Sequence, residues 1–107
     1  MQGIDANETY EFTSEQDKGD PKMVFVLGVF SNRQKIKFSP KGKEDYENPD
    51  RIFSLLKESI KEVRCGSEVV KEVTDNFLDY KIPFEVLLDV SNKVLTSSFL
   101  NQDEKKN

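Results

Sequence analysis

The apolar run Met23 to Phe30, "MVFVLGVF", places the strongest constraint on how this chain can fold. It is rich in Val, Phe and Leu, too short for most helices, and followed by the turn-like residues Ser31 to Arg33. Such a run is typical of a buried strand. Gly28 inside it predicts a bulge or a close approach of another part of the chain. We therefore expect a buried strand against which the other elements pack.

The segment after this run predicts a second strand. Residues Gln34 to Phe38, "QKIKF", alternate polar and apolar side chains. This alternation puts Ile36 and Phe38 on one face and Lys35 and Lys37 on the other, as in a half-exposed strand. The two runs would form a β-hairpin that ends at "SPKGK". Lys35 and Lys37 would lie on its solvent-exposed face, where lysines discourage pairing of the edge strand with another chain.

The middle of the chain predicts a long amphipathic helix from Asn48 to Gly66. Asn48 is a good N-cap, Pro49 suits the first helical position, and Gly66 suits a left-handed residue at the C-terminal end. Apolar residues recur at three- and four-residue spacing: Ile52, Leu55, Leu56, Ile60 and Val63. One face of this helix should therefore be buried.

A second amphipathic helix is predicted from Pro83 to Ser98. The large apolar residues on one side are Phe84, Leu87, Leu88, Val94 and Leu95, with Val86 and Val90 widening the stripe. We expect this helix to be mostly buried or paired with a partner protein.

Shorter elements complete the predicted fold. Thr9 to Phe12, "TYEF", reads as a short strand, and Val69 to Val73 as a strand returning to the hairpin. Thr74 or Asp75 would cap a single helical turn ending near Tyr80. The expected fold is α+β: an N-terminal β-hairpin or small antiparallel sheet followed by two main amphipathic helices. The 107 residues suit one domain.

Charge is distributed unevenly along the chain. Residues 1–20 carry six acids and one base, residues 21–43 six bases and no acid, and the whole chain a net charge of −4. The basic segment either complements acidic elements within the molecule or forms a docking face for an acidic partner, with Arg33, Lys35 and Lys37 as its contacts. Nucleic acid is disfavoured, because the segment lacks an aromatic ladder or a recognition helix. Residues 1–20 form an acidic arm that could be flexible.

Catalytic signals are missing from the sequence. It has no His, a single Cys at position 65, and neither a GxGxxG nor a GxxxxGK[ST] motif. The usual general base, transition-metal ligand and phosphate cradle are therefore not indicated, so we predict no enzymatic activity, cofactor or metal. The sequence starts with no basic segment followed by an apolar one, and no run could span a membrane.

Both ends of the chain resemble a family of small bacteriophage and prophage proteins. Those proteins share an "S-x-x-D-K-x-x-P" loop leading to a "VF-x-L-G" strand, a "D-x-x-L-D-x-I-P" turn before an amphipathic helix, and an "L-x-x-x-E-x-K-N" tail. The matching residues are Tyr10, Ser14, Asp17, Lys18, Pro21, Val24, Phe25, Leu27, Gly28, Asp75, Leu78, Asp79, Ile82, Pro83, Leu100, Glu104, Lys106 and Asn107, and "VRCG" at residues 63–66 matches a "V-R-x-G". Residues 34–49 match no part of the pattern, so the resemblance assigns no role to the basic segment.

The resemblance implies virion assembly through contacts with other phage proteins. One alternative is an assembly factor of the tail-assembly-chaperone kind, whose C-terminal helix binds an apolar partner surface through Phe84, Leu87, Leu88 and Leu95. The second is a virion component such as a capsid decoration or head-tail joining protein. The third is a small nucleic-acid-binding regulator, which composition places last. The expected setting is the bacterial cytoplasm or the virion, with other phage structural or assembly proteins as partners and homo-oligomerisation left open.

Overall fold

A computed structural model describes residues 8–38 and 48–100, with the backbone alone for Phe99 and Leu100. The elements in chain order are β1 (Thr9–Phe12), β2 (Met23–Gly28), α1 (Asn32–Phe38), α2 (Pro49–Ser59), β3 (Ile60–Cys65), β4 (Glu68–Val70), α3 (Asp75–Tyr80) and α4 (Phe84–Leu95). A π-helical turn, Thr96–Leu100, follows α4. The predicted α+β class is confirmed.

The four strands form one antiparallel sheet in the order β1-β2-β3-β4. Side chains of one sheet face, among them Phe25, Leu27 and Val63, belong to the hydrophobic core that the helices cover. The other face carries Glu11, Glu62 and Arg64, which form a network of ion pairs. The described residues therefore make a two-layer arrangement with helices on one side of the sheet.

The predicted edge strand at Gln34–Phe38 is wrong, because these residues belong to α1. Ser31 and Gln34 form a reciprocal cap: the Gln34 amide donates to Ser31 Oγ at 3.2 Å, and the Ser31 amide donates to Gln34 Oε1 at 2.9 Å. This S-x-x-Q capping box satisfies backbone donors at the start of the helix. Phe38 is buried and stacks on Phe30 with ring centroids 5.5 Å apart, whereas Ile36 is 75% exposed. The "SPKGK" end of the predicted hairpin lies outside the described residues.

The predicted helix from Asn48 to Gly66 is correct only in its first half. Asn48 caps α2 by accepting from the amides of Asp50 and Arg51, but the helix ends at Ser59 and the chain continues as β3. β3 is the inner neighbour of β2, so pairing with the buried strand outweighs the helical preference of its Lys, Glu and Arg residues. Gly66 does have a left-handed backbone, φ +62°, but in the β3–β4 turn rather than at a helix end.

The shorter predicted elements agree with the structure in part, because β4 ends at Val70, leaves Val73 outside the strand and pairs with β3 rather than with the predicted hairpin. β1 and β4 are strands, and Thr74 Oγ1 accepts from the Phe77 amide to cap α3. Beside Gly28 the β2–β3 register shifts between Val26 and Leu27, and a Cβ at Gly28 would overlap the Lys61 side chain. The bulge or close approach predicted at this glycine is therefore confirmed.

The polar loop between β1 and β2 is held in place by hydrogen bonds of two buried side chains, Ser14 and Asp17. Ser14 Oγ donates to Asp89 Oδ2 of α4 at 2.6 Å, and the Asp17 carboxylate accepts from the amides of Gly19 and Met23 at 2.8 and 2.7 Å. Ser14 and Asp17 are almost fully buried. Residues 8–20 of the predicted flexible arm thus include a strand and a tethered loop, and residues 1–7 lie outside the described part.

Candidate protein-binding groove

The centre of helix α4 differs from the one predicted. Its buried residues are Val86, Val90 and Val94, spaced four apart, together with Ser91. The larger residues Phe84 and Leu88 are 66% and 41% exposed. Val86 and Val90, which the sequence placed at the margin of the stripe, therefore face the core together with Val94, and two of the predicted anchors lie at the surface.

These exposed residues border an apolar groove of about 510 Å³ between three helices. Its lining residues are Pro49, Ile52 and Phe53 from α2, Leu78 and Asp79 from α3, Ile82 from the following turn, and Phe84, Leu87 and Leu88 from α4. Leu78 and Ile82 are buried and form the floor of the groove, while Phe84 and Leu88 are exposed and lie toward its rim. We call this surface the α2–α4 groove.

The walls of the groove follow from local helix signals. Asn48 and Pro49 start α2 in a fixed position, Thr74 starts α3, and Pro83 is the N-cap residue of α4. α3 is only two turns long, and α4 begins shortly after it. Ile82, in the turn between these two helices, is buried in the core, and the lining residues on either side of it surround the groove. Eight of the nine lining residues are apolar, so the groove favours an apolar occupant.

The structure separates the predicted partner-binding residues into three places. Phe84, Leu87 and Leu88 lie together in the α2–α4 groove. Leu95 is partly buried against the core and does not line the groove. Arg33, Lys35 and Lys37 lie on α1 and do not line the groove.

Lys37 has an internal partner. Its Nζ lies 2.6 Å from Glu58 Oε2 of α2, and Gln34 Nε2 donates to Glu58 Oε1 at 3.2 Å. Burial, the largest single influence, raises the pKa of Glu58, but the hydrogen bonds from Lys37 and Gln34 and the nearby lysine charges together bring it below 4.5. For Lys37, this pair supports charge complementarity within the molecule. Within residues 8–38 and 48–100, Arg33 and Lys35 have no ion pair.

The open sheet face shows the same internal use of charge. Arg64 pairs with Glu62 on its own strand and with Glu11 of β1, 2.9 Å away. The hydrogen bond to Glu62 and its charge raise the pKa of Arg64. A charged residue of the N-terminal segment is therefore part of the fold.

Metal-ligating side chains do not cluster in the part of the chain that the structure describes. No cluster of three or more His, Cys, Asp or Glu side chains there could hold a metal ion. Cys65 is half-buried, and its Sγ lies 3.5 Å from the Pro21 carbonyl oxygen. No helix within residues 8–38 and 48–100 is long and apolar enough to cross a membrane.

Sequence reasoning missed the walls of the groove contributed by α2, α3 and the turn after it. Ile52 was part of the predicted buried face of the first long helix, and Leu78 and Asp79 were named only among the residues that carry the family resemblance. Only the excess of large apolar residues on α4 pointed to this surface. No family model, curated protein or solved structure matches the chain.

Proposed function

We propose that this chain is a non-enzymatic assembly protein that holds an apolar segment of another protein in the α2–α4 groove. The observation that carries the proposal is the exposure of Phe84 and Leu88 beside an apolar depression. Large exposed side chains around a concave apolar surface are typical of protein-binding sites.

Neither exposed residue is needed to cover the core beneath α4. Val86, Val90 and Val94 supply that contact and are at most 1% exposed. Exposed apolar side chains add little to stability and increase the tendency to aggregate. An occupant that buries Phe84 and Leu88 gives these residues a favourable environment.

The resemblance to bacteriophage proteins supplies the partner class. We propose that the occupant belongs to a phage structural protein and that the chain acts like a tail-assembly chaperone, in the cytoplasm of a bacterium that produces the phage. Ser14, Asp17, Asp75 and Ile82 of the matching motifs stabilise the loop and helices around α4. These motif residues therefore have structural roles in this fold, and the identity of the partner is what we propose.

The test is a comparison of two charge insertions in the full chain. Leu88→Glu puts a carboxylate in the α2–α4 groove, and Ile36→Glu puts one on α1 at a residue that is 75% exposed. Circular dichroism should show both variants folded. In cells producing the phage, affinity capture should recover a phage structural protein with the wild type and Ile36→Glu, but much less with Leu88→Glu.

Two outcomes separate the alternatives. Mass spectrometry of purified particles should not detect the chain if it is an assembly factor, and would detect it if it is a virion component. Equal capture of the same proteins by Leu88→Glu and the wild type would contradict the proposed role of the groove.

A further inference from the structure

The α2–α4 groove has one charged lining residue, Asp79 of α3. Its carboxylate has no hydrogen bond or ion pair to any of the described residues. In the structure Asp79 is exposed and borders the apolar lining residues of the groove, where an occupant would reduce its contact with water.

Basic residues near the groove do not neutralise Asp79. Lys57 pairs with Asp75, one helical turn earlier on α3, at 2.8 Å. The Arg51 guanidinium donates to the Lys37 carbonyl oxygen at 3.3 Å, toward α1. Lys81 is exposed and does not line the groove. An occupant carrying an acid beside Asp79 would be repelled, whereas one carrying a base would be attracted.

The walls also restrict the backbone conformation of the occupant. They are formed mainly by side chains of α2, α3 and α4, whose backbone groups bond within their own helices. An extended segment buried there would find no strand edge to accept or donate its backbone hydrogen bonds. A helix satisfies these groups internally and presents apolar side chains every three or four residues.

We infer that the occupant is an amphipathic helix whose apolar side chains enter the α2–α4 groove and whose lysine or arginine pairs with Asp79. The inference rests on the proposed function and specifies the partner chemistry of that site. The cation lies on the face adjoining the apolar stripe, so that the stripe fills the groove while the charge stays near its α3 wall.

The test is selection from a displayed library of helical 14-residue peptides against the full chain. Peptides that also bind Leu88→Glu are removed, so that the remainder depend on the groove. We expect the enriched peptides to carry apolar residues at three- and four-residue spacing and one lysine or arginine at a constant offset. Replacing that base by glutamate should weaken binding about fivefold or more.

Charge reversal on the protein provides the matched control. Selection against Asp79→Lys should enrich glutamate or aspartate at the same offset, whereas Glu15→Lys, a reversal at an exposed residue of the β1–β2 loop, should retain the basic preference. A basic preference that persists with Asp79→Lys, or enrichment without any charge preference, would overturn the inference and leave the proposed function standing.

Two other results would overturn it for different reasons. If the wild type enriches no peptide that Leu88→Glu fails to bind, the groove is not a helix-binding site and the proposed function fails as well. If sedimentation shows a wild-type dimer that Leu88→Glu dissociates, the occupant is a second copy of this chain.

Discussion

A pair of leucine substitutions tests whether the α2–α4 groove is a surface or part of the core. Leu56 of α2 is fully buried, whereas Leu88 of α4 is 41% exposed, and both lie within helices. Changing either to alanine removes the same atoms and improves helix propensity by the same small amount. The difference in cost therefore reports the difference in environment.

The magnitudes follow from burial. Leu56→Ala loses the transfer free energy of the removed carbons, about 2.4 kcal/mol, and leaves a closed cavity, which brings the cost to about 3 kcal/mol. At Leu88 the original side chain was already partly in water, and the space left behind opens into the groove. We expect Leu88→Ala to cost about 1 kcal/mol.

Urea unfolding followed by circular dichroism gives both values. With a urea dependence of about 2 kcal/mol per molar, Leu56→Ala should lower the midpoint by about 1.5 M and Leu88→Ala by about 0.5 M. Equal costs for the two variants would mean that Leu88 belongs to the core, and the proposed docking site would lose its main premise.

Three further predictions concern local interactions elsewhere in the fold. Ser31→Ala should destabilise the protein by about 1 kcal/mol in urea unfolding, because α1 loses its capping box; no loss would contradict that cap. The lowered pKa of Glu58 means that its stabilising contribution is present above about pH 4.5 and disappears as the pH falls through the folded-state value. Glu58→Gln should therefore cost stability at pH 6 and much less at pH 3, and a cost independent of pH would refute this assignment. Gly66→Ala should lower stability by about 1–2 kcal/mol, measured by thermal unfolding, because φ is +62° and the new Cβ would lie 2.9 Å from the Pro21 ring; an unchanged melting temperature would count against it.

The sequence predicted the elements that have strong local signals. Met23 to Gly28 has the composition of a buried strand, and Asn48 and Thr74 are caps that the structure retains. The S-x-x-Q pattern of the capping box from Ser31 to Gln34 is present in the sequence, but Ser31 to Arg33 is also typical of a turn and the alternation from Gln34 predicts a strand. A seven-residue segment is short enough to satisfy both periodicities in part.

The end of α2 could not be predicted from local pattern. Ile60 and Val63 are three residues apart, which suits one face of a helix. In β3 both residues are also buried, and the register of the β2–β3 pairing shifts between the partners of these two residues. Pairing with a strand more than thirty residues earlier decided the outcome, and periodicity carries no information about such a partner.

Prediction of the groove was limited for a related reason. The sequence located Phe84, Leu87 and Leu88 because large apolar residues repeat along α4. It did not show that smaller valines occupy the core-facing side, because periodicity defines an apolar stripe but not its buried centre. The contribution of Asp79 depends on how α3 meets α4, which only the tertiary arrangement defines.

The position of β2 has a consequence for the order in which this polypeptide can acquire its structure. Its partners are β1, before it, and β3, which begins only after residues 29–59 have been synthesised. Until the rest of the chain has been made, the hydrophobic core that includes Phe25 and Leu27 is incomplete. A ribosome-bound chain that ends before residue 60 has an unpaired inner strand edge, so we expect such truncated products to be insoluble or rapidly degraded rather than to form a smaller folded unit.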